Sequence, residues 1–161
     1  MRVDLDEIDY RILELLQADA SLTAVDVAAR VGLSQSPCWR RIDRLEKAGV
    51  IQRRVALLDR QSLGLDVMVF VQVRFARGSR QSLADFEATI RAMPEVQECY
   101  MLMGEVDFLL KVVTRDVAGY ERFLREKLSR IPAVQEVHSS IALTPVKATT
   151  ELPLEFVREP A

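Results

Sequence analysis

Cysteine and histidine are scarce in this 161-residue chain: Cys38, Cys99 and His138 are all it has. Two dispersed thiols build no disulfide framework, and with a single imidazole they match no spacing of a structural zinc site. No metal and no other cofactor is expected. Both cysteines fall inside apolar patterns, so both are expected as buried free thiols. Long hydrophobic runs are missing as well. No stretch approaches the ~18–20 apolar residues that cross a bilayer, and the N-terminal Met1-Arg-Val-Asp-Leu-Asp-Glu7 is too acidic for a signal peptide. A cytoplasmic protein with no membrane partner is expected. Also lacking are a glycine loop for phosphates, a nucleophile paired with a base, and a metal-binding motif. Nothing assembles an acid, a base and an anion hole, so an enzyme is not expected.

What is present has the composition of one globular domain or two small ones, 49% hydrophobic and 29% charged. The net charge of −2 hides a strong polarity. Residues 1–29 carry seven acids against two bases, and residues 30–60 carry eight bases against three acids. Binding to a polyanion follows the local field rather than the total.

The basic block centres on Ser34-Gln-Ser-Pro-Cys-Trp-Arg-Arg-Ile-Asp-Arg-Leu-Glu-Lys-Ala-Gly49. Ser34 is suited to the N-cap, with its hydroxyl accepting a first-turn amide, and Pro37 belongs in a first turn. Cys38, Ile42 and Leu45 recur at helical spacing and form one buried stripe. Arg40, Arg41, Arg44 and Lys47 lie mainly off it, and Gly49 suits the left-handed stop. A first helix is expected over Leu5–Gln17, with Ile8, Ile12, Leu15 and Leu16 inward and Asp4 or Asp6 as cap. A second is expected over Thr23–Val31, with Val25, Val27, Ala28 and Val31 inward, joined to the basic helix across Gly32-Leu33. Helix, tight turn, basic helix is the layout of a helix-turn-helix DNA reader. Ile51–Leu58 alternates well enough for a strand or wing, and Asp59–Gly64 suits a hinge.

Beyond residue 64 the period changes from helical to alternating. Val67, Val69, Val71, Val73 and Phe75 alternate with Met68, Phe70, Gln72 and Arg74, which predicts a long strand. Further elements follow as a helix over Ser82–Met93, strands over Val96–Leu102 and Asp107–Val113, a helix over Asp116–Arg130 and a strand over Val134–Leu143. An internal repeat supports this β-α-β-β-α-β order. Met93-Pro-Glu-Val-Gln-Glu98 corresponds to Ile131-Pro-Ala-Val-Gln-Glu136, each copy a helix ending at proline and a strand beginning. Two such half-units make a ferredoxin-like split βαβ domain. The predicted class is therefore α+β, a winged helix-turn-helix followed by a ferredoxin-like βαββαβ domain. The boundaries fall at 1–60, 61–148 and a C-terminal tail of 149–161 that wraps a neighbouring subunit or stays mobile. One sheet face is left apolar at Met68 and Phe70 or their alternates, which predicts a homodimer built sheet on sheet.

This order resembles the Lrp/AsnC family of amino-acid-responsive regulators over nearly the whole chain. The resemblance is carried by Leu5-Asp-Glu-Ile-Asp-Tyr-Arg-Ile-Leu13, by Ser34–Gly49 with Arg40-Arg41, and by the loop Gly104-Glu-Val-Asp107. Ser36-Pro-Cys-Trp-Arg-Arg41 and Thr149-Thr-Glu-Leu-Pro-Leu154 are similar to its DecR-like, cysteine-responsive branch. The resemblance implies a regulator of amino-acid metabolism or transport genes whose third helix enters the major groove. It also implies an amino-acid effector held between C-terminal domains, and dimers that assemble into tetramers or octamers. A dimer of DNA readers implies a pseudo-palindromic operator on double-stranded DNA, with half-sites about one helical turn apart.

On that basis Gln35, Ser36, Trp39 and Arg40 face base edges, with Arg40 able to fork onto guanine and Gln35 to pair with adenine, and Ser34 belongs to the same DNA-binding set. Trp39 has a second possible place, as a lid over the core beside Cys38. Arg41, Arg44, Arg53 and Arg54 suit phosphate contacts, which position without reading. For the effector, Gly104 allows a close backbone approach, and Asp107 can answer an α-ammonium. By resemblance, Tyr100, Met101, Met103, Gly104, Glu105, Asp107, His138, Ser139 and Ser140 contribute to the pocket. The loop has Val106 where the family commonly has an aromatic, which leaves the pocket's shape open. Residues 104–107 as a plain β-turn, with ordinary strand serines, is the alternative reading of those positions. An effector-independent architectural DNA-binding protein is the alternative function, since it needs the same basic helix.

Overall fold

The computed structural model describes residues 3–76 and 80–158. The chain falls into two compact units, one running up to Leu57 and rejoined by the segment from Lys147 on, the other spanning Leu58–Val146.

The first unit holds three helices, α1 (Glu7–Ala18), α2 (Ala24–Val31) and α3 (Gln35–Lys47). Reciprocal capping boxes start the first two. In α1 the Asp6 carboxylate accepts from the Asp9 amide at 2.9 Å and the Asp9 carboxylate accepts from the Asp6 amide at 3.1 Å. In α2 Thr23 and Asp26 exchange the same pair of bonds. Helix α3 begins differently from expectation. Ser34 is at the N-cap but makes no side-chain cap bond. The third helical residue, whose amide a cap hydroxyl would take, is Pro37, and proline has no N–H. The helix ends as expected. Gly49 adopts φ 73°, its amide donates to Glu46 and that of Val50 donates to Leu45, both at 3.0 Å. These are the two bonds of a Schellman stop.

Ile12, Leu13, Leu16, Val27, Ala28, Val31, Cys38, Ile42 and Leu45 form this unit's core. Val25, expected inward, is exposed, because it falls off the stripe of Val27, Ala28 and Val31. The strand expected over Ile51–Leu58 is not formed. That segment finds no ladder partner among the described residues, and a lone strand cannot satisfy its own backbone. The C-terminal segment runs back along α1. Gln17 and Leu152 exchange bonds at 3.1 and 3.0 Å, the Tyr10 hydroxyl donates to the Val157 carbonyl at 3.1 Å, and Arg158 pairs with Glu14 at 2.7 Å. Leu154 packs on the core.

The second unit has the βαββαβ order: β1 (Val67–Phe75), α4 (Arg80–Arg91), β2 (Val96–Met101), β3 (Phe108–Thr114), α5 (Val117–Glu126) and β4 (Val134–Ala142). The sheet order is β2-β3-β1-β4, with every neighbouring pair antiparallel. Phe86 and Ile90 of α4 and Tyr120 and Phe123 of α5 pack on Val69, Val71, Val73, Leu110 and Val112. Phe75, Phe86 and Phe108 lie within 5.2 Å of one another by ring centroid. Helix α5 stops at Glu126, and Leu128–Arg130 form a separate 3-10 turn where one continuous helix was expected. Pro132 disfavours the helical conformation at Ile131, so the chain leaves the helix early. Cys99, expected buried, is exposed on the edge strand β2, while Cys38 is sealed in the first core. Burial pushes the Cys38 thiol upward against the opposing pull of Arg41. The face of β1 away from the helices carries Met68, Phe70, Gln72 and Arg74, with Phe70 40% exposed.

Candidate DNA-reading surface and ligand loop

Helix α3 is fastened to α1 by a buried carboxylate. Asp9 is 1% exposed and occupies a position on the inward stripe of α1, one turn before Ile12 and Leu13. Its Oδ1 accepts from Arg41 Nη1 at 2.9 Å, and its Oδ2 accepts from Arg44. Arg41 also reaches the half-exposed Asp6 at 2.7 Å. The hydrogen bonds that Arg41 donates to Asp6 and Asp9 raise its already high pKa. Desolvation raises the Asp6 carboxyl, but hydrogen bonds from the Asp9 amide and Arg41 outweigh it and hold that carboxyl below its usual value. A carboxylate in this position would be very costly unpaired; two guanidinium groups and an amide offset the loss of water. The sequence signal for this latch was an acid set into the apolar stripe of α1.

The latch fixes which arginines are free. Arg41 and Arg44, suited by sequence to phosphates, each have one edge occupied by Asp9; their remaining N–H groups border a concavity of about 400 Å³ shared with Asp6, Pro37 and Arg40. Arg40 makes only a long bond, Nε to the Ser36 carbonyl at 3.5 Å. Arg54 pairs with Glu46 at 2.9 Å, and Arg53 is exposed. Ser34, Gln35, Ser36, Trp39 and Arg40 are all exposed, opposite the buried Cys38, Ile42 and Leu45. The Trp39 indole stands 56% exposed beside the fully buried Cys38. Asp43 follows one turn later and pairs with Lys47 at 2.7 Å.

In the second unit the β2–β3 loop is tied to β1. The Leu102 amide donates to the Asp107 carbonyl at 2.8 Å, and Arg74 Nε donates to the Glu105 carbonyl at 2.8 Å. Asp107 Oδ2 accepts the Phe75 amide at 2.7 Å, so one of its oxygens serves the sheet. Gly104 has open space around its α-carbon. Tyr100 donates to Glu98 at 2.8 Å, which raises its pKa, and Glu98 also pairs with Lys111 at 2.9 Å. Met101 and Met103 are exposed. His138 contacts Glu136 at 2.9 Å, and Glu136 in turn pairs with Arg74 at 3.1 Å.

The sheet separates some residues that the sequence grouped. Tyr100 is on edge strand β2 and His138 on edge strand β4, three strand spacings or roughly 14 Å apart at ~4.8 Å each. They share one row on the open face, through Leu109 and Gln72. Ser140 faces the same side, opposite Phe70. Ser139 turns to the helix side, where its hydroxyl bonds Tyr120. Arg74 and Glu136, beside the loop, were not singled out by sequence, although an arginine alternating with valines marks an open face. Among the described residues no cluster suits a metal ion.

A basic helix presented outward by one unit, and a helix-backed sheet in the other, define a two-domain DNA-binding regulator. The comparisons with known proteins agree. Residues 5–52 match the model of a winged helix-turn-helix DNA-binding domain, and residues 68–152 match that of the Lrp/AsnC ligand binding domain. The chain belongs to the Lrp/AsnC family of transcriptional regulators. It is 41% identical over 150 residues to the glutamate uptake regulatory protein of Zymomonas mobilis, covering 93% of this chain and 91% of that one. It is 36% identical to the DNA-binding transcriptional activator DecR of Escherichia coli, covering 94% and 99%. A transcriptional regulator from Neisseria meningitidis, solved as its L-Met complex, superimposes with a TM-score of 0.92 at 38% identity, covering 96% of this chain and 100% of that one.

Proposed function

We propose that this protein is a sequence-specific, amino-acid-gated regulator of genes for amino-acid metabolism or transport, acting in the cytoplasm. The observation that carries the reading is the free row Gln35, Ser36, Trp39 and Arg40 on a helix whose other arginines are latched to Asp9. Residues with open donors at the N-terminal half of such a helix meet base edges. Arg40 reads a base, while Ser34, Arg41, Arg44, Arg53 and Arg54 meet the backbone. Residues 1–60 form the reading domain and 61–148 the ligand and assembly domain.

The open sheet face, with Phe70 and Tyr100 exposed beside the Arg74–Glu136 and Lys111–Glu98 pairs, supports a homodimer that reads a pseudo-palindrome. Dimers assemble further into tetramers or octamers. An amino acid sits near Tyr100, Met101, Met103, Gly104, Glu105 and Asp107, with His138 and Ser140 brought in from other copies, while Ser139 is turned to the helix side and bonded to Tyr120. The distance between the two segments in one chain supports a shared pocket over an internal one. The L-methionine complex of the Neisseria relative supports the ligand class, and DecR-like segments make cysteine a candidate.

A melting screen of the protein against the twenty amino acids, under reducing conditions, tests the gating. A ligand at 100 times its Kd adds ~2.7 kcal/mol and raises Tm by several degrees. A single clear hit whose shift is lost on Gly104→Val supports the pocket. No shift with any amino acid contradicts an amino-acid effector.

A further inference from the structure

Trp39 is the chain's only tryptophan, and it lies outside the buried core of the first unit. The buried stripe of its helix is Cys38, Ile42 and Leu45. The indole stands 56% exposed on a helix whose other exposed residues are polar or small. On its own face, one turn back, are Gln35 and Ser36; beside it is Arg40; one turn on is Asp43. The Asp43 carboxylate on that line pairs with Lys47 at 2.7 Å. A carboxylate there repels phosphate, so the line that includes Trp39 points at bases rather than along the backbone. An apolar ring between polar readers has one partner of matching chemistry in the major groove. That partner is the C5-methyl group that thymine, alone of the four bases, projects there.

We infer that Trp39 is a specificity-determining residue that recognises a thymine in each half-site through its methyl group. This rests on the DNA-reading surface proposed above. Water leaves both the indole and the methyl on contact, so the gain is that of apolar burial. Gln35 and Arg40 on either side then discriminate the neighbouring base pairs by hydrogen bonds.

The test uses the full-length protein and a duplex selected from a randomised pool. If selection yields no preferred duplex, the DNA-reading proposal itself fails, and with it this inference. If a duplex is selected, each thymidine is replaced in turn by deoxyuridine, which removes only the methyl. Wild type is expected to lose about fourfold in affinity at one position per half-site, the worth of one buried methyl. Trp39→Ala is expected to bind the parent duplex about tenfold more weakly and to be indifferent to that replacement. Trp39→Phe, which keeps an apolar ring, retains the sensitivity and stands in if the alanine variant fails to fold. Emission from the single tryptophan is expected to shift to the blue or be quenched on the selected duplex. Equal wild-type affinity for every deoxyuridine duplex, an equal loss in Trp39→Ala, or unchanged emission in a complex seen by fluorescence anisotropy would each overturn the inference.

Discussion

Asp9 ties α1 to α3 through Arg41 and Arg44. It is a buried carboxylate facing two guanidinium groups of the neighbouring helix. Both arginines keep water on one side, with side chains 29% and 50% exposed, so the pair is weaker than a fully buried one. Replacing Asp9 by Asn preserves volume but removes the charge that both arginines share. The expected loss is about 1–3 kcal/mol in urea unfolding of the whole protein. Asp6→Asn, at a half-exposed cap where the two residues serve alike, should cost less than ~1 kcal/mol. Equal losses at the two positions would mean that the cap and not the latch holds α1. Without the latch, Arg41 and Arg44 regain rotamer freedom, which must be lost again on binding DNA.

At the scale of elements, α2 and α3 of the reading unit differ in how they begin. Thr23 accepts the Asp26 amide in α2, whereas Ser34 caps nothing in α3. Thr23→Ala should therefore lower stability by about 1 kcal/mol and Ser34→Ala by a few tenths at most, compared by thermal melting. The sequence made α2 and the alternating strand β1 easy to read, because a capping box and a period of two are local signals. The repeat at Pro94 and Pro132 did the same for the two half-units of the sheet. The missing Ser34 cap follows from Pro37 only three residues on, where no amide is present. Two features were not local. The missing strand at 51–58 depended on a partner that the described residues do not supply. The burial of Asp9 depended on α3, more than thirty residues away. For the proposed ligand segments, the strands were legible in the sequence but the faces of their residues were not. Ser139 and Ser140 are neighbours in the chain and back to back in the sheet. Tyr100 and His138 lie at opposite edges of one row, which no spacing along the chain reveals.

For the whole molecule, the C-terminal segment belongs to the DNA-reading unit although it follows the last strand of the other. The chain thus enters that unit twice. Ending it at residue 150 removes the Gln17–Leu152 pair, the Tyr10–Val157 bond and the Arg158–Glu14 pair. The expected result is a loss of about 1–3 kcal/mol, confined to the reading unit and seen as faster amide exchange in α1. Unchanged exchange in α1 would show that the segment is not bound there in solution. The sheet face of the second unit leaves Phe70 and Tyr100 exposed. In the dimer proposed above, two reading helices would meet a palindromic site, which makes specificity the property to measure.

The most direct measurement is therefore the affinity of the full-length protein for its selected duplex against a scrambled duplex of equal length, at one fixed salt concentration. The account predicts a preference on the order of 10³ or more. It also predicts that Arg40→Ala erodes that preference by ~1–3 kcal/mol and leaves binding to scrambled DNA nearly unchanged. Equal affinity for the two duplexes, with the same steep dependence on salt, would contradict it and identify a protein that packages DNA without reading it.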